Sequence, residues 1–194
     1  MSTAELLQGE ALRQAAEKIR LIALDMDGTA LNTASELTPH TRRVIQALAD
    51  AGYLVVPTTG RGFYGLREQV LGVAGLRYVI SANGAVVTDG AADGNLRLYE
   101  RLIPRATAAA MADDLLLPGT CVYIHRNDAY STHIMACADH AQYADFFMKP
   151  GWPPPEDTLT EALGAYILQD GLDVIKMGVW FTPRYDFAYF ERLT

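Results

Sequence analysis

The apolar run Leu21-Ile22-Ala23-Leu24 leads directly into Asp25-Met26-Asp27-Gly28-Thr29. No other part of the chain constrains its fold as strongly. A run of that length bounded by turn residues reads as a buried strand. It carries two carboxylates at its C-terminal end, where glycine breaks it. Open α/β sheets place reactive groups at that edge. In a regular strand, side chains two residues apart share a face. One carboxylate can then attack phosphorus while the other moves a proton, and their oxygens suit a hard cation. The Thr29 hydroxyl can bond an acidic side chain or a phosphate oxygen.

Asp-x-Asp-Gly also opens calcium loops. Those need further oxygen ligands and a glutamate at the twelfth position. Counted from Asp25 that position is Glu36, but Ala30, Leu31 and Thr33 are poor ligands and no helix-loop-helix pattern surrounds them. A plain solvated turn is the other alternative, and two further motifs weigh against it.

The 194 residues suffice for one large domain or two small ones, and half are apolar, enough for a substantial core. The formal net charge of −7 disfavours a nucleic-acid partner, which usually meets a basic face. A small phosphorylated substrate bridged by a cation remains compatible. Cys121 and Cys137 alone make no disulfide framework and fit a reducing compartment. No stretch approaches the roughly 20 apolar residues of a membrane span, and the N-terminus lacks a signal-peptide pattern. The expectation is a cytoplasmic protein without a membrane partner.

Ser2-x-x-Glu5 resembles a capping box, and Leu7, Ala11, Leu12, Ala15 and Ile19 follow at helical spacing. Residues 1–19 thus read as a helical extension. A strand is expected over 21–25, and a helix from Thr38-Pro39 to Gly52. A strand over 53–58, a helix over 63–71 and a strand over 78–81 follow. This alternation is the rhythm of a parallel sheet. The pattern changes after Val87. Two-residue alternation marks 96–103, 121–124 and 130–135, helices fit 105–117 and 138–148, and Pro153-Pro154-Pro155 makes a stiff loop. A strand over 173–181 and a helix from Thr182-Pro183 close the chain. Residues 20–87 therefore read as an α/β core, and 88–194 as an α+β domain with an antiparallel sheet.

The second strand ends in Thr58-Thr59-Gly60-Arg61 and the third in Ser81-Ala82-Asn83-Gly84-Ala85. Thr59 can donate to a phosphate oxygen, Gly60 permits close approach, and Arg61 is either a phosphate clamp or a surface cation. Asn83-Gly84 alone is an ordinary turn signal. If the three strands are parallel, all three turns converge on one crevice.

In order and spacing, the segments Asp25–Asn32, Thr59-Gly60-Arg61 and Ser81–Ala85 resemble successive motifs of the haloacid dehalogenase-like hydrolases. They are most similar to the Cof-type phosphatases, whose large B-type cap follows the third strand. The resemblance covers roughly residues 20 to 194, including the cap-like strand Asp173–Met177. Ala30 stands where the family usually has leucine. The fold implied is a partial Rossmann-like core of parallel strands plus the cap. By position, Asp25 would be the nucleophile forming an aspartyl-phosphate. Asp27 would protonate the leaving oxygen and later activate water. Mg²⁺ would be held by the Asp25 carboxylate and the Asp27 backbone carbonyl, and Thr59, Gly60, Arg61, Asn83 and Gly84 would surround the phosphate. The substrate implied is a small phosphorylated metabolite, a sugar phosphate among the candidates.

The family's remaining motifs, a lysine and an acidic Gly-Asp…Asn-Asp run, follow the cap and do not occur before Thr194. Lys149, Lys176 and Asp186 lack the context to replace them. Losing one charge-stabilising group typically costs about 2.7–4 kcal/mol in the transition state. The expectation is an N-terminal portion of a longer phosphatase with an incomplete site. The first strand would then be an open apolar edge, covered by the leading helix, by a second copy in a homodimer, or by residues of a longer parent. The alternative from another class is a non-catalytic binding or regulatory protein, and a phosphomutase would need a bisphosphate activator. His125, His133, Cys137 and His140, with Asp128 and Asp139, match no standard zinc spacing. Tyr123, His125 and Arg126 are expected to face the crevice or water.

Overall fold

The computed structural model describes residues 9, 14, 16–63, 66, 72–73, 76–91, 96–127, 133–138, 160–181, 185 and 188. It divides the chain into two compact units, Met1–Leu98 and Tyr99–Thr194.

β1 (Leu21–Asp25), β2 (Leu54–Thr58), β3 (Tyr78–Ser81), β4 (Val86–Asp89) and β5 (Leu96–Glu100) form one sheet in sequence order, β5 running two residues past the end of the first unit. β1 and β2 are parallel from Leu21↔Leu54 to Asp25↔Thr58, β2 and β3 are parallel, and β3 and β4 are antiparallel. The pattern change after Val87 falls inside β4, which turns back along β3 in the same sheet, and the division between the units comes after Leu98. The β1 to β2 crossover holds α1 (Pro39–Asp50), started as the sequence predicts. The Thr38 side chain accepts from the Thr41 N–H at 3.1 Å, and Pro39 opens the first turn. Gly52 follows the helix at φ 86°, the left-handed conformation that ends a helix most cheaply with glycine. Ile45 packs with Val55, Val79, Met26, Phe63 and Leu66 in the core of this unit.

Pro57 lies inside β2, although proline cannot donate to a ladder. Alternation explains it. The Leu54 N–H bonds the Arg20 carbonyl immediately before β1, whereas the Thr59 N–H bonds the Ile80 carbonyl on β3. Odd-numbered amides of β2 therefore face β3. The β2–β3 ladder registers only at Thr58↔Ile80, so the donor missing at Pro57 lies below the point where pairing begins.

In the second unit β6 (Thr120–Arg126) is central, flanked by β7 (His133–Cys137) and β8 (Val174–Phe181), all antiparallel. One face bears Val122, Ile124, Ile134, Ala136 and Val174 and packs on α2 (Arg105–Leu115) and α3 (Leu163–Asp170). The helices meet through Ala108, Ala109 and Ala112, with Gly164 against Asp113, where any Cβ would strike the carboxylate. α3 is absent from the sequence expectations. Eight residues reading Leu-Gly-Ala-Tyr-Ile-Leu-Gln-Asp show little polar contrast, and only Gly171, at φ 76°, marks the end. The opposite sheet face carries Cys121, Met135 and Cys137, with Tyr123 and Trp180. Cys121 and Cys137 are cross-strand partners joined as a disulfide, against the expectation that two cysteines fit a reducing compartment, because the β6–β7 register sets them opposite each other.

The expected helices over 138–148 and from 182, the Pro153–Pro155 loop, and most of the leading helix and of 63–71 lie outside the described residues. Among those described, no helix is long and apolar enough to cross a membrane.

Overpacking the alanine seam should unsettle the second unit. Ala108 is fully buried, so Ala108→Leu is expected to destabilise by about 1–3 kcal/mol. Both tryptophans, Trp152 and Trp180, lie in this unit. Urea unfolding followed by tryptophan fluorescence should therefore show an earlier midpoint.

Candidate active site

The three turns expected to converge leave the same end of the first sheet. Asp25 closes β1 in register with Thr58. Residues Met26–Ala30 then form one irregular turn, with Gly28 at φ 77° and Asp27 off the helical region. Met26 is fully buried beneath it and anchors the turn to the core, while Asp25 and Asp27 stay exposed. The Thr29 hydroxyl donates to Asp25 Oδ2 at 2.6 Å. This is the acidic partner that the sequence left open for it.

Two backbone bonds tie the other turns together. The Ala82 N–H donates to the Arg61 carbonyl at 2.8 Å, and the Asn83 N–H to the Thr59 carbonyl at 3.1 Å. Ala82, Asn83 and Gly84 all have positive φ, so the chain bends sharply enough to return as β4. Asn83 and Gly84 are exposed at this rim. Thr59 is buried, and its Oγ1 accepts from the Arg61 N–H at 3.0 Å while donating to Asp27 Oδ2 at 3.4 Å.

Arg61 is the joint of the arrangement. Its Nε donates to Asp27 Oδ2 at 3.0 Å and its Nη2 to Asp27 Oδ1 at 2.5 Å. This two-point fork is the strong form of an arginine–carboxylate pair. Nη2 also donates to the Ser35 hydroxyl at 3.1 Å. Asp27, Thr59 and Arg61 are therefore in direct contact, Asp25 joins through the short Met26–Ala30 turn, and Asn83 and Gly84 join through backbone. Ser35 did not register in the sequence. It follows the Asp25–Asn32 motif, and a serine in a polar turn carries no signal of its own.

The donor set fits a hard cation. Carboxylate and carbonyl oxygens are magnesium ligands, and one or two carboxylates commonly suffice. Among the described residues no bond engages Asp25 Oδ1, whereas both Asp27 oxygens are held by Arg61. That division suits Asp25 as the carboxylate ligand and Asp27 as a ligand through its backbone.

A family model described as haloacid dehalogenase-like hydrolase matches residues 22–157. The chain belongs to that family. It is 35% identical over 97 residues to the 5-amino-6-(5-phospho-D-ribitylamino)uracil phosphatase YcsE of Bacillus subtilis, a match covering 50% of this chain and 37% of that protein. It is 32% identical over 114 residues to an HMP-PP phosphatase of Yersinia pestis, covering 58% of this chain and 40% of that one. These matches thus take in about two fifths of each relative. A solved haloacid dehalogenase-like hydrolase from B. subtilis superposes with a TM-score of 0.61 at 18% identity, over 90% of this chain and 66% of the other, and shares the fold. The α/β architecture and the family agree with the sequence resemblance.

The polar residues of the second unit divide. Arg126 pairs with Asp170 of α3 at 2.5 Å. Tyr123 and His125 lie on the sheet face away from the helices, with ring centroids 5.9 Å apart. The Tyr123 ring covers Gly178, where a Cβ would meet its ring atoms. Of the residues weighed for zinc, Cys137 is bound to Cys121 and so is no thiolate ligand. Asp128, Asp139, His140 and the side chain of residue 133 lie outside the described set. Among the described residues, no three His, Cys, Asp or Glu side chains group as a metal site.

Lys176, the cross-strand partner of His125, is half-buried, and burial pushes its ammonium below the ordinary lysine value of 10.5. The folded protein releases this proton before the unfolded chain does. The unfolded chain thus binds more protons as pH rises toward 10.5, and stability rises with pH there. Lys176→Met should raise the urea midpoint of the second unit at neutral pH and flatten its climb as pH approaches 10.5. Burial raises the Tyr123 phenol above its usual 10.0, so measurements below that pH isolate the lysine.

Proposed function

We propose that this chain carries the catalytic core of a magnesium-dependent phosphomonoesterase that works through an aspartyl-phosphate. The observation that carries the proposal is the Asp25, Asp27, Thr59 and Arg61 arrangement at the rim of parallel strands. The phosphatase relatives support it.

In this reading an Asp25 carboxylate oxygen attacks phosphorus, and the bond from phosphorus to the leaving oxygen breaks. Asp27, once out of the Arg61 fork and protonated from solvent, gives that oxygen its proton. Water then attacks the phosphoryl group, Asp27 takes the proton, and the Asp25–phosphorus bond breaks. Asp25 with the Asp27 carbonyl would hold Mg²⁺, whose chemistry is to offset charge as one anion approaches another. Thr59 Oγ1 holds a phosphoryl oxygen, with Gly60, Asn83 and Gly84 lining the approach. In the resting arrangement, both Asp27 oxygens sit in the Arg61 fork. A leaving-group oxygen reaches Asp27 only after Arg61 moves off one of them, and the substrate phosphate is the anion that draws it.

The substrate class is a small phosphorylated metabolite. The named relatives act on a phosphoribitylamino-uracil and on HMP-PP, and phosphorylated small molecules of that kind are the first to screen. Residues 20–87, extended by β4 and β5, would serve as the phosphate-binding core and the second unit as the cap. A complete site needs further charge-stabilising groups. In β1 the even-numbered backbone groups face β2, so those of Leu21, Ala23 and Asp25 face the open edge, where Leu21 is half-exposed. A further core strand along that edge would complete the sheet, and a second copy of the chain is the other cover that the edge suits. Sedimentation of the purified chain separates the two.

The test uses Mg²⁺ with an aryl phosphate, and beryllofluoride as a mimic of the aspartyl-phosphate. Turnover or a beryllofluoride adduct is expected with Mg²⁺. Both should vanish in Asp25→Asn, turnover falling by roughly three orders of magnitude or more. A chain that does neither, yet binds phosphorylated ligands equally well as Asp25→Asn, is the non-catalytic binding protein instead.

A further inference from the structure

We infer that Ser35 is a positioning residue for this site: the turn between Leu31 and Leu37 holds its hydroxyl on Arg61 and thereby sets the fork on Asp27. The inference rests on the phosphatase reading for what the fork does, but not for whether the fork is set.

The turn has the marks of a rigid support. Leu31 and Leu37 are buried and bridge each other in antiparallel fashion, closing it at the base. The Asn32 side chain accepts from the Ala34 N–H at 2.9 Å and from the Glu36 N–H at 3.0 Å. Backbone bonds Asn32 N–H to Glu36 and Ser35 N–H to Asn32 complete it. Ser35 itself sits at φ 60°. Glycine adopts that conformation freely, whereas a residue with a Cβ does so at a cost. The hydroxyl accounts for a serine here, because it accepts from Arg61 Nη2 at 3.1 Å. Arg61 is about a third exposed, so a bond to Asp27 alone would leave a long side chain with one anchor.

The role follows from the geometry. One nitrogen, Nη2, serves both Asp27 Oδ1 and Ser35 Oγ. When a phosphate dianion draws Arg61 off Asp27, the Ser35 bond keeps the guanidinium at the mouth of the site. Ser35 then affects the capture of phosphate more than the chemical step.

The experiment uses the full chain with Mg²⁺ and inorganic phosphate as probe. It follows binding by calorimetry and the Arg61 Nε–H resonance by NMR. Ser35→Gly removes the hydroxyl and relaxes the backbone, so folding should be unharmed. Loss of one hydrogen bond to a charged group is expected to weaken phosphate binding about tenfold and to speed exchange of the Arg61 Nε–H with water. In any aryl-phosphate turnover, KM should rise while kcat holds. Ser35→Asn, which tolerates positive φ and supplies an amide oxygen, should restore both signals. An unchanged Arg61 resonance in Ser35→Gly, or a loss that Ser35→Asn does not repair, overturns the inference. If the wild type itself binds no phosphate, the phosphatase reading falls, and the Arg61 resonance still decides the place of Ser35.

Discussion

The parallel pairing of β1 with β2 is the constraint on which everything at the site depends. Register Asp25↔Thr58 sets the end of one strand level with the end of the next. Thr59 and Arg61 then fall beside Asp27 without any long loop to fetch them. A shift of one residue would turn each side chain to the other face. The apolar residues on both strands fix that register, because Val55 on β2 is wholly buried and Leu24 on β1 packs on the same core. Chemistry at the rim thus borrows its precision from packing below it.

Where local chemistry decided the outcome, the sequence was informative. Thr38-Pro39 and Gly52 bound a helix because each residue type does a specific local job. The apolar runs of β2 and β3 are buried in the sheet, whereas β1, expected to be a buried strand, alternates between exposed and half-buried residues along its open edge. The carboxylates, Thr59 and Arg61 were legible because turns after such strands fall at one edge. Residues whose role depends on distant partners were not legible. Ser35 matters only because Arg61, 26 positions later, folds back onto it. Cys121 and Cys137 meet only because β6 and β7 pair in one register. The helix Leu163–Asp170 is apolar around most of its surface, so periodicity had nothing to contrast.

The two units divide the physical work differently. The first places charged and hydroxyl groups at an exposed rim and keeps Thr59 buried to hold them steady. The second is built from small-residue helix packing on one sheet face and an aromatic cluster on the other. Tyr123 lies on Gly178 with Trp180 beside it, ring centroids 6.0 Å apart. The ring needs that glycine, since any side chain there would displace it.

Pro57 leaves a last mark on the first unit. Because it withholds a donor below Thr58, the bonds from β2 toward β3 gather at the upper end of the pair, where Thr59, Arg61, Ala82 and Asn83 are stitched together. The seam is loose at its foot and closed at its top. Thermal fraying between these strands would begin far from the Thr59–Arg61 and Ala82–Gly84 turns and reach them last. An amide-exchange map of the sheet would accordingly show protection increasing toward the rim that carries Thr59 and Arg61, the reverse of the usual fall-off at strand ends.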